Sequence, residues 1–204
     1  VVDDTVLVFQ DWAINTVPVL ERQVVSSTSG AATIIGTGGV VDRWDVVSSY
    51  FGNQHQWGLT ESEYGFFWFD MNKKAWMALD LNGGGVIEVS QVKGLKAFFD
   101  ELFLEVLGNT SSSGNVVNSQ IFADSSDRPL LGVGITGAYD PKFKTSYLTF
   151  KFYSREVIAP DFVSNVAKDI TLGYYHPTRM FVSFYDWTPG IGYNHNQWMF
   201  SSKN

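Results

Sequence analysis

A chain of 204 residues with a net charge of −7, 16% aromatic residues, 17% charged residues and no cysteine is long enough to bury one substantial core. The acidic balance stands against broad phosphate-backbone binding, which needs clustered Lys and Arg to release counterions, and the aromatic content is too high for a disordered segment. Without thiols there are no disulfides and no thiolate metal sites, the compartment stays open, and packing alone must stabilise the fold.

Neither a basic-then-apolar leader nor an apolar run of bilayer length is visible, and the first residue is Val1, so the chain is expected to start within a longer protein or after cleavage. Val6-Leu7-Val8-Phe9 reads as a short strand. Val17-Pro18-Val19-Leu20 could extend only at a sheet edge, because proline lacks the ladder donor. Residues 26–39 are small and polar around Ile34-Ile35 and read as a loop. Their glycines do not make a dinucleotide fingerprint, since the third glycine would fall at position 41, which is Val41.

Three passages further on share one recipe: aromatic strand, Asp or His, a polar turn with a basic residue, and a second aromatic-rich strand. The first is Phe66–Asp70, Met71–Lys74, Ala75–Leu79; the second is Ile135–Asp140, Pro141–Lys144, Thr145–Phe152; the third is Leu172–His176, Pro177–Arg179, Met180–Tyr185. Asp, Asn and Pro favour turns, while aromatic and β-branched residues suit a half-buried pleat. Asp70, Asp140 and His176 are taken as equivalent turn residues. The fold class expected is mainly β, antiparallel hairpins in a propeller-like arrangement, since propeller repeats use units of roughly 35–50 residues. Unrelated hairpins in a β-sandwich are the alternative.

Between the first two hairpins, Val86–Val89 alternates like a strand with one wet face. One inserted α-helix is expected over about 90–107, with Ser90 as N-cap and Gly108 as its end. Leu95, Phe98, Phe99, Leu102, Val106 and Leu107 form its apolar stripe, and Phe103 widens that stripe enough to hint at a second contact surface. Residues 109–126 are expected to form a mobile loop. Ser154–Asp169 reads as a connection with a turn at Pro160-Asp161.

Candidate sites are weak. Asp80, Asn82, Gly85, Ile87 and Glu88 resemble a calcium loop, yet its fifth position is Gly84 and its twelfth is Gln91 where a bidentate Glu is needed, so a glycine-rich turn is favoured. His55, His176 and His195 lie in no catalytic or metal-ligand spacing, and His176 reads as a turn residue. Asp42 and Asp45, around Arg43-Trp44, could serve as the two carboxylates of a glycoside hydrolase, although Asp-rich turns are far commoner. Trp12, Trp44, Trp57, Trp68, Trp76, Trp187 and Trp198 could stack on sugars, but in strands most should be core.

The ordered series Tyr50-Phe51-Gly52-Asn53-Gln54-His55, Gly65–Asp70, Ile87-Glu88-Val89-Ser90, Gly94–Phe99, Gly132–Lys144 with Tyr147–Phe150, Ile170-Thr171-Leu172, Phe181–Pro189 with Asn194, and Trp198–Ser201 resembles the muzzle, nozzle or tail-stabilisation proteins of crAss-like phages. The resemblance covers about residues 48–204, and residues 1–47 match nothing in it. It implies propeller-like domains, a virion structural component without catalytic, cofactor or metal residues, and a homo-oligomeric ring at the distal tail. That ring would contact other tail proteins, close the channel, and let DNA exit without binding it specifically. Two parts are therefore expected, an N-terminal strand and loop segment over 1–47 to which the resemblance assigns no role, and a propeller-like region over 48–204 that the resemblance implies is incomplete at its C-terminus. The other functional readings are a host-surface glycan-binding or depolymerising adsorption module, motivated by the tryptophans and the Asp42/Asp45 pair, and a cellular propeller scaffold for protein partners.

Overall fold

The computed structural model describes residues 5–18, 23–26, 32–35, 44–80, 85–108, 129, 134–159 and 162–202. The chain forms two compact units, Val1–Gly52 and Asn53–Asn204. In the first, β1 (Thr5–Phe9), β2 (Ile14–Pro18) and β5 (Asp45–Ser48) form an antiparallel sheet ordered β1-β2-β5, and β3 (Gln23–Ser26) pairs with β4 (Ala32–Ile35). Pro18 is tolerated in a central strand because it is the last residue of β2, opposite Thr5. The passage expected as a loop therefore contains β4 and the end of β3. Val24 and Val25 face Ile34 and Thr33 across that ladder, and these β-branched residues prefer a pleat despite the small, polar surroundings that concealed them.

The second unit holds two four-stranded antiparallel meanders. One is β6 (Thr60–Ser62), β7 (Gly65–Asp70), β8 (Ala75–Asp80) and β9 (Gly85–Glu88); the other is β10 (Gly134–Asp140), β11 (Thr145–Ala159), β12 (Phe162–Tyr175) and β13 (Met180–Tyr185). The aromatic hairpins turn where the sequence places them. Asp70 Oδ1 accepts from the Asn72 and Lys73 amides at 2.9 and 3.1 Å, and Asp140 Oδ1 accepts from those of Lys142 and Phe143 at 2.9 and 3.2 Å. Each turn closes on a basic residue at positive φ: Lys74 at 49°, Lys144 at 49° and Arg179 at 54°.

The third turn is offset from the expected equivalence. Tyr175 pairs with Met180, as Asp70 does with Ala75 and Asp140 with Thr145, so His176 is the first loop residue and matches Met71 and Pro141. Its carbonyl accepts from the Arg179 amide at 3.0 Å, as Met71 accepts from Lys74 at 3.3 Å. The expected connection over 154–169 is instead occupied by the long arms of β11 and β12, paired from Thr145↔Tyr175 to Ala159↔Phe162. Pro160 and Asp161 lie outside the described residues.

The single predicted helix is two. Helix α1 (Val89–Val92) stops before Gly94, whose φ of +85° is left-handed, and α2 spans Lys96–Gly108. Ser90 lies inside α1, where its Oγ accepts the Trp76 amide at 3.1 Å, so it bonds a strand instead of capping a helix. The wide stripe of α2 has a direct cause. Phe99 and Phe103 both reach Phe69 of β7 (4.9 and 5.4 Å between centroids) and Phe150 of β11 (5.6 and 5.8 Å), so the helix packs on both sheets at once. The loop expected over 109–126 lies outside the described residues.

Phe67, Phe69, Trp76, Leu148, Phe150, Leu172 and Tyr174 complete the common core between the meanders. The sheets approach closely enough at Gly137 that an added Cβ would collide with Thr60 Oγ1 and come 2.7 Å from the Gly58 carbonyl. On the other face of β10 lies a hairpin of β14 (Gly192–His195) and β15 (Trp198–Ser201). Among the described residues the sheets close neither a barrel nor a propeller. Deleting a ring from this core should cost about 3–5 kcal/mol. Urea denaturation is expected to show that loss for Phe103→Ala and almost none for the exposed Val92→Ala; equal losses would contradict the assignment of the core.

Candidate functional site

The densest constellation of polar and aromatic groups in the second unit surrounds His176. Its ring is only 5% exposed and lies parallel to Tyr64, with 4.5 Å between centroids and 4° between planes. Phe67, Tyr174 and Tyr139 meet it edge-on at 4.7, 5.2 and 5.6 Å. Tyr64 and Phe67 come from the β6–β7 hairpin, whereas Tyr139 and Tyr174 come from β10 and β12, so one imidazole ties both meanders together. Its Nε2 is 2.8 Å from Ser146 Oγ, and its backbone N–H donates to the Lys144 carbonyl at 3.0 Å, joining two neighbouring turns.

Burial pushes the His176 pKa down from 6.5 to about 4, while the Glu63 carboxylate pulls it back up, and the ring is neutral at pH 7. Glu63 also accepts a hydrogen bond from the Tyr139 hydroxyl at 3.2 Å and lies 3.7 Å from Lys144 Nζ. Burial first, and then that carboxylate, raise the Tyr139 pKa and keep the phenol a donor.

An apolar groove of about 280 Å³ opens beside this junction, lined by Tyr64, Phe67, Val89, Tyr174, His176 and Arg179 among others. The Ser146–His176 contact has the composition of a nucleophile and its base. Its setting is that of a structural hydrogen bond: Ser146 is fully buried and four aromatic rings pack around His176.

The other sequence candidates are dispersed. Asp42 and Arg43 lie outside the described residues, Trp44 is exposed, and Asp45 is paired in β5, its carbonyl accepting from Thr16 Oγ1 at 3.3 Å. Of the calcium-like loop, Asn82 and Gly84 lie outside the described residues, while Asp80 ends β8 and Glu88 ends β9. No group of three or more His, Asp or Glu suited to a metal occurs among the described residues, and no described helix is long and apolar enough to cross a membrane. His55 is buried and His195 exposed. Trp68 and Trp76 are core, as their strands predict; Trp198 is in a strand yet exposed.

Sequence reasoning missed Lys151. This residue of β11 is fully buried, its Nζ has no hydrogen-bond partner, and it stands opposite Asp169 in the β11–β12 ladder. Burial lowers the lysine pKa against the pull of Asp169. Burial also raises that of Asp169 against Lys151 and a hydrogen bond from Thr188. Alternation along β11 places Lys151 on one face with Tyr147 and Thr149, and that signal was readable.

Fold and junction together define a mainly β protein, built from antiparallel sheets locked by aromatic rings. The chain belongs to the crassvirus muzzle protein family, whose family model matches residues 1–204. The match includes residues 1–47, where sequence motifs gave no resemblance. Membership implies a structural role in the tail of a phage virion. No curated protein matches the chain.

The junction predicts acid sensitivity. His176 is neutral when folded and takes up a proton on unfolding below about pH 6.5, so its contribution is complete above that pH and is lost as pH falls towards about 4. The slope from this one group is at most about 1.4 kcal/mol per pH unit. Denaturation at pH 7.0 and 4.5 should show the wild type losing more stability than His176→Phe; parallel losses would contradict the assignment.

Proposed function

We propose that this protein is a subunit of a homo-oligomeric ring at the distal end of the phage tail, which closes the channel before infection and lets DNA leave afterwards. In this reading the two meanders act as consecutive blade-like units of a propeller-like region over 48–204, and residues 1–47 form a separate segment. The observation that carries it is membership of the muzzle family along the whole chain. Two features of the molecule support it. The charge of −7 disfavours adhesion to passing DNA, whose phosphates seek Lys and Arg. Strand β13 also stands at the edge of its sheet with Met180, Val182 and Phe184 exposed, the kind of apolar edge that assemblies cover.

The function is one of packing, and neighbouring tail proteins are the partners. Electron cryomicroscopy of purified particles is expected to place this polypeptide in a ring of the distal tail; finding it in infected-cell lysate and never in particles would defeat the proposal. Val182 is 54% exposed and sits at the irregularity between β12 and β13. Val182→Asp should therefore leave the melting temperature of the isolated protein within about 2 °C, as surface substitutions do, while lowering its incorporation into tails. Undiminished incorporation would remove β13 from the interface.

A further inference from the structure

A second and larger cleft, of about 550 Å³, lies between the β6–β7 turn, β10 and the β14–β15 hairpin. Its lining is more polar than that of the groove beside His176: Glu63 borders both, and here Glu61, Tyr139, Tyr193, Asn194 and Asn196 join it. Strand alternation puts Tyr193, His195, Trp198 and Phe200 on one face of the hairpin. Tyr193 is held by Phe200, 5.4 Å away and tilted by only 14°, yet is 59% exposed. Trp198, 60% exposed, carries the Lys142 ammonium 5.1 Å from its ring centre.

We propose that this cleft binds a neutral carbohydrate chain, with Tyr193 as the stacking platform and Glu61 and Asn196 as partners for sugar hydroxyls. A pyranose offers weakly positive C–H groups on its faces, which suit the negative face of an aromatic ring, and hydroxyls around its rim, which both donate and accept. A braced, exposed ring beside carboxylates and amides meets both requirements in one cleft. Charge narrows the class further. Glu61 disfavours phosphates, acidic sugars and anionic lipid, while the charge of Glu63 is offset by Lys144, and an apolar protein knob would leave the polar lining without partners. The cleft's chemistry carries this inference independently of where the protein sits in the virion.

Saturation-transfer NMR on the purified chain tests it, with glucose, mannose and N-acetylglucosamine hexasaccharides as neutral probes and a galacturonate hexamer as the acidic one. Transfer to ring protons of at least one neutral probe is expected, with the acidic probe bound at least tenfold more weakly. Tyr193→Ser and Glu61→Ala should each weaken that binding at least tenfold. Tyr193→Phe, which keeps the ring, and Phe143→Ser, outside the cleft lining, should change it less than threefold. The inference is overturned by absence of transfer from folded protein to every neutral probe, by binding that survives Tyr193→Ser and Glu61→Ala, by equal binding of the acidic probe, or by a Tyr193→Ser effect confined to self-association in sedimentation.

Discussion

Everything in the second unit depends on burial of aromatic rings between two small sheets. Each meander carries an apolar face that is costly in water until it is covered. Here the cover is mutual. Phe69, Phe99, Phe103 and Phe150 form a closed set of ring contacts that takes one member from each sheet and two from α2, most of them edge-on or tilted. Such pairs contribute about 0.5–1.5 kcal/mol each beyond the area they bury. In a chain without cysteine, these contacts do what disulfides do elsewhere.

The His176 junction extends the same logic to a polar residue. A neutral imidazole fills a ring-sized space while giving Ser146 a hydrogen-bond partner, which phenylalanine could not do. The backbone bond from His176 to Lys144 fixes how two turns sit side by side. Glu63, shared between Tyr139 and Lys144, stands where the packed junction meets the polar cleft. Rigid packing on one side thus positions exposed chemistry on the other.

What could be read from sequence were features with local causes. The turns at 71–74 and 141–144 were legible because Asp70 and Asp140 satisfy two backbone donors each, an effect contained within four residues. The wide stripe of α2 was legible too, and its double contact followed from Phe103. Features set by tertiary context were not. The arms of β11 and β12 read as a connection because Ser154, Arg155, Glu156, Asn165 and Lys168 dilute the apolar alternation, and only the partner strand reveals the ladder. Helix 90–107 read as continuous because its apolar spacing outweighed the roughly 1 kcal/mol that Gly94 costs a helix, whereas the bond from Trp76 to Ser90 and the left-handed turn divide it. The exposed ring of Tyr193 and the buried amine of Lys151 follow the same rule. Alternation gave their faces, and the neighbouring layer decided which face met water.

The central claim is that the two meanders and α2 form one cooperative body held by shared rings. Native-state hydrogen exchange measures this directly, since amides that open together share one free energy of opening. The account predicts that central amides of β7, β8 and α2 and those of β11 and β12 near Phe150 and Leu172 exchange with the same, highest free energy, and that Phe150→Ala lowers all of them equally. Exchange of one meander at a distinctly lower free energy, unaffected by Phe150→Ala, would show two independent sheets and contradict it.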